Sequence, residues 1–129
     1  MQITFGLLLD GEHGWRPTNR LGMPVLGPLG LLNLLETRLG LLRAECAHAQ
    51  RVTQYRECLK QCDTPDRFYH ASFGIDPIGT SASLLSWRDA WYLHGWNGEA
   101  PSGAGIRIAD IAAVETAARS LLVPSIGER

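Results

Sequence analysis

Lysine is almost missing from this chain. Of 12 basic residues in 129, Lys60 is the single lysine and the other 11 are arginines. That scarcity excludes a working phosphate loop of the G-x-x-x-x-G-K-[ST] kind, whose lysine reaches the terminal phosphates. Lys60 stands between Leu59 and Gln61, and no lysine follows any glycine. A G+C-rich coding bias explains the arginine excess more simply than a phosphate-binding surface does. The formal net charge of −1 gives no electrostatic case for nucleic-acid binding by this segment alone. Long apolar runs are also lacking, and none reaches the ~18 residues needed to cross a bilayer. The opening Met1-Gln2-Ile3-Thr4-Phe5 has no basic region, and its apolar run breaks at Asp10, which argues against a secretory signal. Cysteine is sparse and odd in number (Cys46, Cys58, Cys62). Reduced thiols in a cytoplasmic protein are the expectation.

What remains is enough for one small folded domain. Hydrophobic residues make up 45% and charged residues 19%, which excludes general disorder. Three stretches follow one another: a strand, loop and helix over 1–43, a helical region over 44–98, and a loop with a closing helix over 99–129. Ile3–Leu9 is short, continuous and apolar, which suits a strand buried on both faces. Gly11–Gly22, with Trp15 and Arg16-Pro17, is a loop, and Pro24–Gly27 has room for a very short second strand. Leu31, Leu34, Leu35 and Leu39 define a helix over 29–39 that Gly40 can end. Ala49, Val52, Tyr55 and Leu59 define another from about Ala44 to Gln61, interrupted by Cys62-Asp63-Thr64-Pro65-Asp66. A helical turn is expected around Phe68–Phe73, a loop over 97–105, and a last helix over 108–122 with Ile108, Ile111, Ala112, Glu115 and Ala118 near one face. The tail after Pro124 is expected to fray.

The stretch from Phe68 to Gly98 is the most informative. Asp76 can cap a helix with its side chain while Pro77 takes the first helical position. Gly95 can end that helix, leaving Trp96 and Asn97-Gly98 beyond it. Between them Ile78, Ala82, Leu85, Tyr92 and Trp96 form one apolar stripe, and Leu84, Trp87 and Trp91 form a second roughly opposite. A helix apolar on two sides is normally sandwiched. Asp89 falls near the first stripe beside Arg88, so its carboxylate requires pairing, most simply in a salt bridge or cap.

These same residues carry a resemblance. Phe68-Tyr69, Ser72-Phe73, Asp76-Pro77, Gly79-Thr80, Leu84-Leu85, Trp87-Arg88-Asp89 and Gly95-Trp96-Asn97-Gly98, with MQITFGLLLDG and PVLGPLGLLNLLETRLGLL, are similar to the N-terminal region of bacterial PD-(D/E)XK nucleases of the RecB/AddB type. In those proteins an inactivated superfamily 1 helicase-like region precedes the nuclease domain. The resemblance implies an N-terminal fragment of a longer chain, an α/β but predominantly helical first subdomain, and a cytoplasmic DNA exonuclease acting in end processing or repair. It also implies partners: later domains of the same chain, DNA through the parent protein, and a helicase subunit, with no membrane. The parent nuclease would need Mg²⁺, whereas this fragment would bind no cofactor or metal and catalyse nothing.

Direct inspection for chemistry agrees that no complete site can be assembled. Gly27-Pro28-Leu29-Gly30 sits where a phosphate loop would, between a strand and a helix, but Leu31-Leu32-Asn33 follows it. It reads as a plain tight turn, or as the remnant of a lost loop. A nuclease site needs an (Asp/Glu)-x-Lys pair after an acidic residue. Glu57-Cys58-Leu59-Lys60 has one residue too many, and Pro65-Asp66 comes after the lysine. Cys58 and Cys62 lie four apart on a helix and with Cys46 or His48 offer at best three zinc ligands, so structural thiols are favoured. His13, His48, His70 and His94 show no repeated spacing, and His94 suits a helix end. Trp87, Trp91, Tyr92 and Trp96 would need a basic groove to stack on bases, and only Arg88 lies among them. Packing is the simpler role, and the interface set is therefore Gly27, Gly30, Asp76, Leu84, Trp87, Arg88, Asp89, Trp91 and Trp96. The other reading is a stand-alone protein-interaction module with an apolar Trp/Leu face.

Overall fold

Proline, aspartate and glycine set the bounds of α1 (Pro28–Leu39) and the start of α4 (Pro77–Leu93). The computed structural model describes residues 2–10, 22–41 and 46–129. The expected loop with His13, Trp15 and Arg16-Pro17, and the expected start of the second helix at Ala44, lie outside the described residues. The chain divides into two compact units, Met1–Ala44 and Glu45–Arg129. The architecture is mostly helical, with a short parallel sheet at the N-terminus.

The first unit contains β1 (Thr4–Phe5), β2 (Val25–Leu26) and α1 (Pro28–Leu39). The strands pair in parallel, Thr4 opposite Val25 and Phe5 opposite Leu26. The Thr4 N–H donates to Pro24 at 3.0 Å and the Gly6 N–H to Leu26 at 3.1 Å. The long, doubly buried first strand expected over Ile3–Leu9 is not what forms. Leu7–Asp10 turns away, Thr4 and Phe5 are exposed, and Leu7 and Leu8 are 76% and 75% exposed. A parallel strand is buried only when layers cover both of its faces, and a two-stranded ribbon with one helix cannot supply them. Pro28 takes the first position of α1, one residue before the expected start, and Gly40 (φ 70°) ends the helix as expected.

The second unit contains α2 (His48–Cys62), α3 (His70–Ile75), α4 (Pro77–Leu93) and α5 (Ile106–Leu121), then a 3₁₀ turn at Ile126–Glu128. α2 packs on both α4 and α5, while α3 and the 3₁₀ turn pack on α4. Val52, Tyr55 and Leu59 of α2 meet Leu85 of α4 and Ile111 and Val114 of α5 in one apolar cluster. The three- and four-residue spacing within each helix puts these side chains on one face. At the start of α4 the Asp76 carboxylate accepts the Gly79 N–H at 2.9 Å, with Pro77 in the first helical position. At its end Gly95 takes φ 88°, and the Trp96 N–H folds back to Trp91 at 2.9 Å. That conformation suits glycine because residues with a side chain are strained at positive φ, although the space around Gly95 is open.

Two expectations for this unit need correction. The buried face of α4 is a single strip through Ser81, Leu84, Leu85 and Arg88 rather than two opposite stripes. Leu84 is buried, whereas Ile78 is 61% exposed at the solvent end of the helix. Nor does the tail fray. Ser125 is buried, its N–H donates to the Glu128 carboxylate at 2.7 Å, and the Glu128 N–H closes on the Ser125 carbonyl at 3.2 Å. The tail is held because the Glu128 carboxylate finds a buried cation, described below. Leu85→Ala is expected to cost about 2–5 kcal/mol by opening a cavity. Ile78→Ala, on the exposed side, is expected to stay within about 0.5 kcal/mol. Urea unfolding of both variants checks the assignment, and equal costs would contradict the single-strip packing.

Candidate functional site

A guanidinium cannot be moved out of water unless its charge and its donors are answered. Arg88 is 1% exposed on the inner strip of α4, and every one of its five N–H groups has an acceptor. Glu115 of α5 takes one edge, through Nε at 2.6 Å and Nη2 at 2.9 Å. Glu128 takes another, through Nη1 at 2.9 Å and Nη2 at 2.6 Å. The remaining Nη1 hydrogen reaches Asp89 at 3.4 Å. Both glutamates bind as forks, the geometry in which an arginine–carboxylate pair is strongest. The guanidinium also lies 4.5 Å from the centroid of the Tyr92 ring, and the Tyr92 hydroxyl donates to Glu115 at 2.9 Å.

A second fork sits beside it. Arg51 of α2 grips Asp89 at 2.5 and 2.9 Å, and its Nε donates to the Val123 carbonyl at 2.9 Å. The Val123 N–H in turn donates to Gln54 at 3.1 Å. Three helices and the C-terminal tail thus converge on two arginines. Asp89 is paired, as its position demanded, but its main partner is Arg51, and its side chain keeps 24% exposure. The deeply buried charge is its neighbour Arg88.

The electrostatics fit a permanent ion network. Burial works against the charge on Arg88, but the bonds to Glu128 and Glu115 prevail and hold its pKa above the ordinary value. Burial likewise opposes ionisation of Glu128, yet the bonds from Arg88 and the Ser125 N–H hold it below the usual carboxylate range. Burial, then the bond to Glu115, pushes the Tyr92 phenol up to about 12. Burial also raises the Tyr55 phenol, whose hydroxyl has no hydrogen-bond partner among the described residues. None of these shifts puts a group near neutrality, where a general acid or base would sit.

The other residues singled out in the sequence play separate parts. In the first unit the Asp10 carboxylate accepts the Leu29 N–H at 2.5 Å and the Gly30 N–H at 3.0 Å. It occupies the N-terminus of α1, the position a phosphate would take. A side chain at Gly27 would run into Asp10. Trp87 is 40% exposed, with Arg107 5.8 Å from its ring centroid. Trp91 and Trp96 meet edge to face at 5.4 Å, and the Trp96 indole N–H donates to the Glu99 carbonyl at 2.7 Å. Only Trp87 of the proposed outer stripe is left open, since Leu84 is buried and Trp91 half-buried.

Cys46, Cys58 and Cys62 are free thiols, and burial pushes Cys58 up to about 11. Among the described residues no group of three or more His, Cys, Asp or Glu could hold a metal ion. No described helix is long and apolar enough to cross a membrane. His70 contacts Asp63 at 2.9 Å, while His48 and His94 are exposed at helix ends. Glu128 and Arg51 escaped the sequence reading, and Glu115 was placed near the apolar face of the last helix without a role. A glutamate at position 115 on the apolar face of α5 was the available signal that an arginine had to meet it. Comparison with protein-family models, curated proteins and solved structures gave no match.

Arg88→Ala strands two carboxylates and is expected to cost about 3–5 kcal/mol in urea unfolding. Asp89→Ala, at a more solvated pair, is expected to cost less, and the reverse order would misplace the centre of the network. Because Glu128 is depressed in the folded chain, its contribution is present above the ordinary carboxylate pKa and lost as pH falls through the lower folded value. The stability gap between wild type and Glu128→Gln should be flat near neutrality and close only below about pH 4. Urea midpoints across a pH series measure it.

Proposed function

We propose that this chain is a non-catalytic scaffold segment of a RecB/AddB-type DNA exonuclease working in DNA-end processing or repair. The observation that supports this most is the Asp10 carboxylate at the N-terminus of α1. A helix that follows a parallel strand through a Gly-Pro-Leu-Gly turn has the layout of a phosphate loop. Here an internal carboxylate satisfies Leu29 and Gly30, and no lysine follows the turn in the sequence. A first helicase-like subdomain that had lost its motor chemistry would be built this way. The exposed Leu7, Leu8, Leu35 and Leu39 of the first unit offer apolar area for docking later domains of the same chain. In this reading DNA is held through the parent protein, a helicase subunit is the further partner, and Mg²⁺ belongs to the downstream nuclease. The setting is the cytoplasm.

A second reading has one observation in its favour. The second unit closes its own apolar core and its own ion network, as a stand-alone interaction module would. The size of the native gene product separates the two. A product much larger than 14.2 kDa carrying an (Asp/Glu)-x-Lys nuclease motif downstream is expected. A native product of 14.2 kDa would leave the module. The purified chain is also expected to show no ATP hydrolysis above background. Turnover abolished by changing Gly27 or Gly30 would overturn the scaffold reading.

A further inference from the structure

Three donors in the second unit are buried with nothing to receive them. The hydroxyls of Tyr55 (0% exposed) and Tyr69 (1% exposed) and the Nε–H of Arg67 have no hydrogen-bond partner among the described residues. Elsewhere this unit answers its buried polar groups closely. Arg88 finds an acceptor for every N–H, and the Ser81 hydroxyl donates to the Pro77 carbonyl at 2.6 Å. One unanswered buried donor weakens folding by roughly fivefold or more, so three together call for a ligand. The three are close enough to feel one another. Arg67 and Phe68 wrap the Asp110 carboxylate of α5, through Nη1 at 2.7 Å and the backbone N–H at 2.9 Å. Tyr69 follows them in the chain, and Arg67 is the strongest charge acting on its hydroxyl. The Tyr69 and Tyr55 phenols also act on each other.

We propose that Tyr55, Arg67 and Tyr69 line an internal hydration site, whose ligand is ordered water held between α2, α5 and the turn that carries Arg67. Donors alone would suit a small anion such as chloride equally well, so the surrounding charges decide. Asp63 and Asp110 face Tyr69 against the single guanidinium of Arg67, counting His70 beside Asp63 as neutral. Around Tyr55, Glu115 opposes Arg88. No surplus of positive charge is left to hold an anion. A neutral molecule that both accepts and donates is the better fit. Buried water typically makes about three hydrogen bonds to polar groups that lack other partners. Burial pushes the Tyr69 phenol up to about 12 and raises Tyr55 as well, so both keep their protons at neutral pH and remain donors. The Arg67 side chain is 25% exposed although its Nε is buried, which makes it the outer wall of the site. Water exchanges when that wall swings.

The test uses the full chain and two variants, Tyr69→Phe and Tyr55→Phe, each of which removes a hydroxyl and leaves the ring. Removing a hydroxyl that water satisfies is expected to lower the folding equilibrium constant about two- to tenfold in urea unfolding. Removing one that nothing satisfies does the opposite, because a desolvated donor is taken away at no loss. A rise or no change in either variant therefore overturns the proposal. The wild-type chain gives a second reading that stands even where a variant fails to fold. Its NMR spectra are expected to show magnetisation transfer from water to the Tyr69 hydroxyl and ring protons, with the sign of a long-lived bound water. Spectra without that transfer overturn the site. A melting temperature that climbs saturably with chloride at constant ionic strength would also overturn it, since the ligand would then be an anion.

Discussion

Burying one arginine sets the terms for most of the second unit. A guanidinium in the core is tolerated only if acceptors surround it, and a helix cannot supply them to its own side chain. Arg88 takes them from α5, from the tail and, weakly, from Asp89. Each fork fixes a distance and a plane, so α4 and α5 are held in one register and the tail in one path. Arg51 repeats the device from α2, joining Asp89 to the Val123 carbonyl. Apolar packing of Tyr55, Leu59, Leu85, Ile111 and Val114 drives the helices together without choosing among close alternatives. Two arginines with directional bonds can choose.

The first unit answers a different constraint. Its parallel strands are two residues long and their side chains are not covered on both faces, so the sheet is small and much apolar surface stays in water. Its helix start is held from a distance in sequence: Asp10 caps the amides of Leu29 and Gly30, 19 and 20 residues further on. A carboxylate at a helix N-terminus completes orphan donors and opposes the helix dipole. A bound phosphate would satisfy the same donors.

Local rules made much of this chain legible beforehand. Asp76-Pro77 starts α4, Gly40 and Gly95 end their helices, and Pro24–Gly27 does hold a second strand, because capping, φ restriction and positive φ act within a few residues. The three- and four-residue spacing of α2 and α5 was enough to place Val52, Tyr55, Leu59, Ile111 and Ala118 inside. Spacing failed on α4, where apolar letters occur nearly all round and the inner strip includes a serine and an arginine.

What the sequence by itself determined, then, is where helices begin and end and which faces of α2 and α5 are apolar. Only tertiary structure decided that Arg88 goes inside, that Glu115 and Glu128 answer it from 27 and 40 residues away, and that the tail is clasped. The physical reason is range. A cap or a turn is settled by neighbours a few residues along, whereas the sign and placement of a buried charge depend on which distant segment brings the opposite charge within 3 Å.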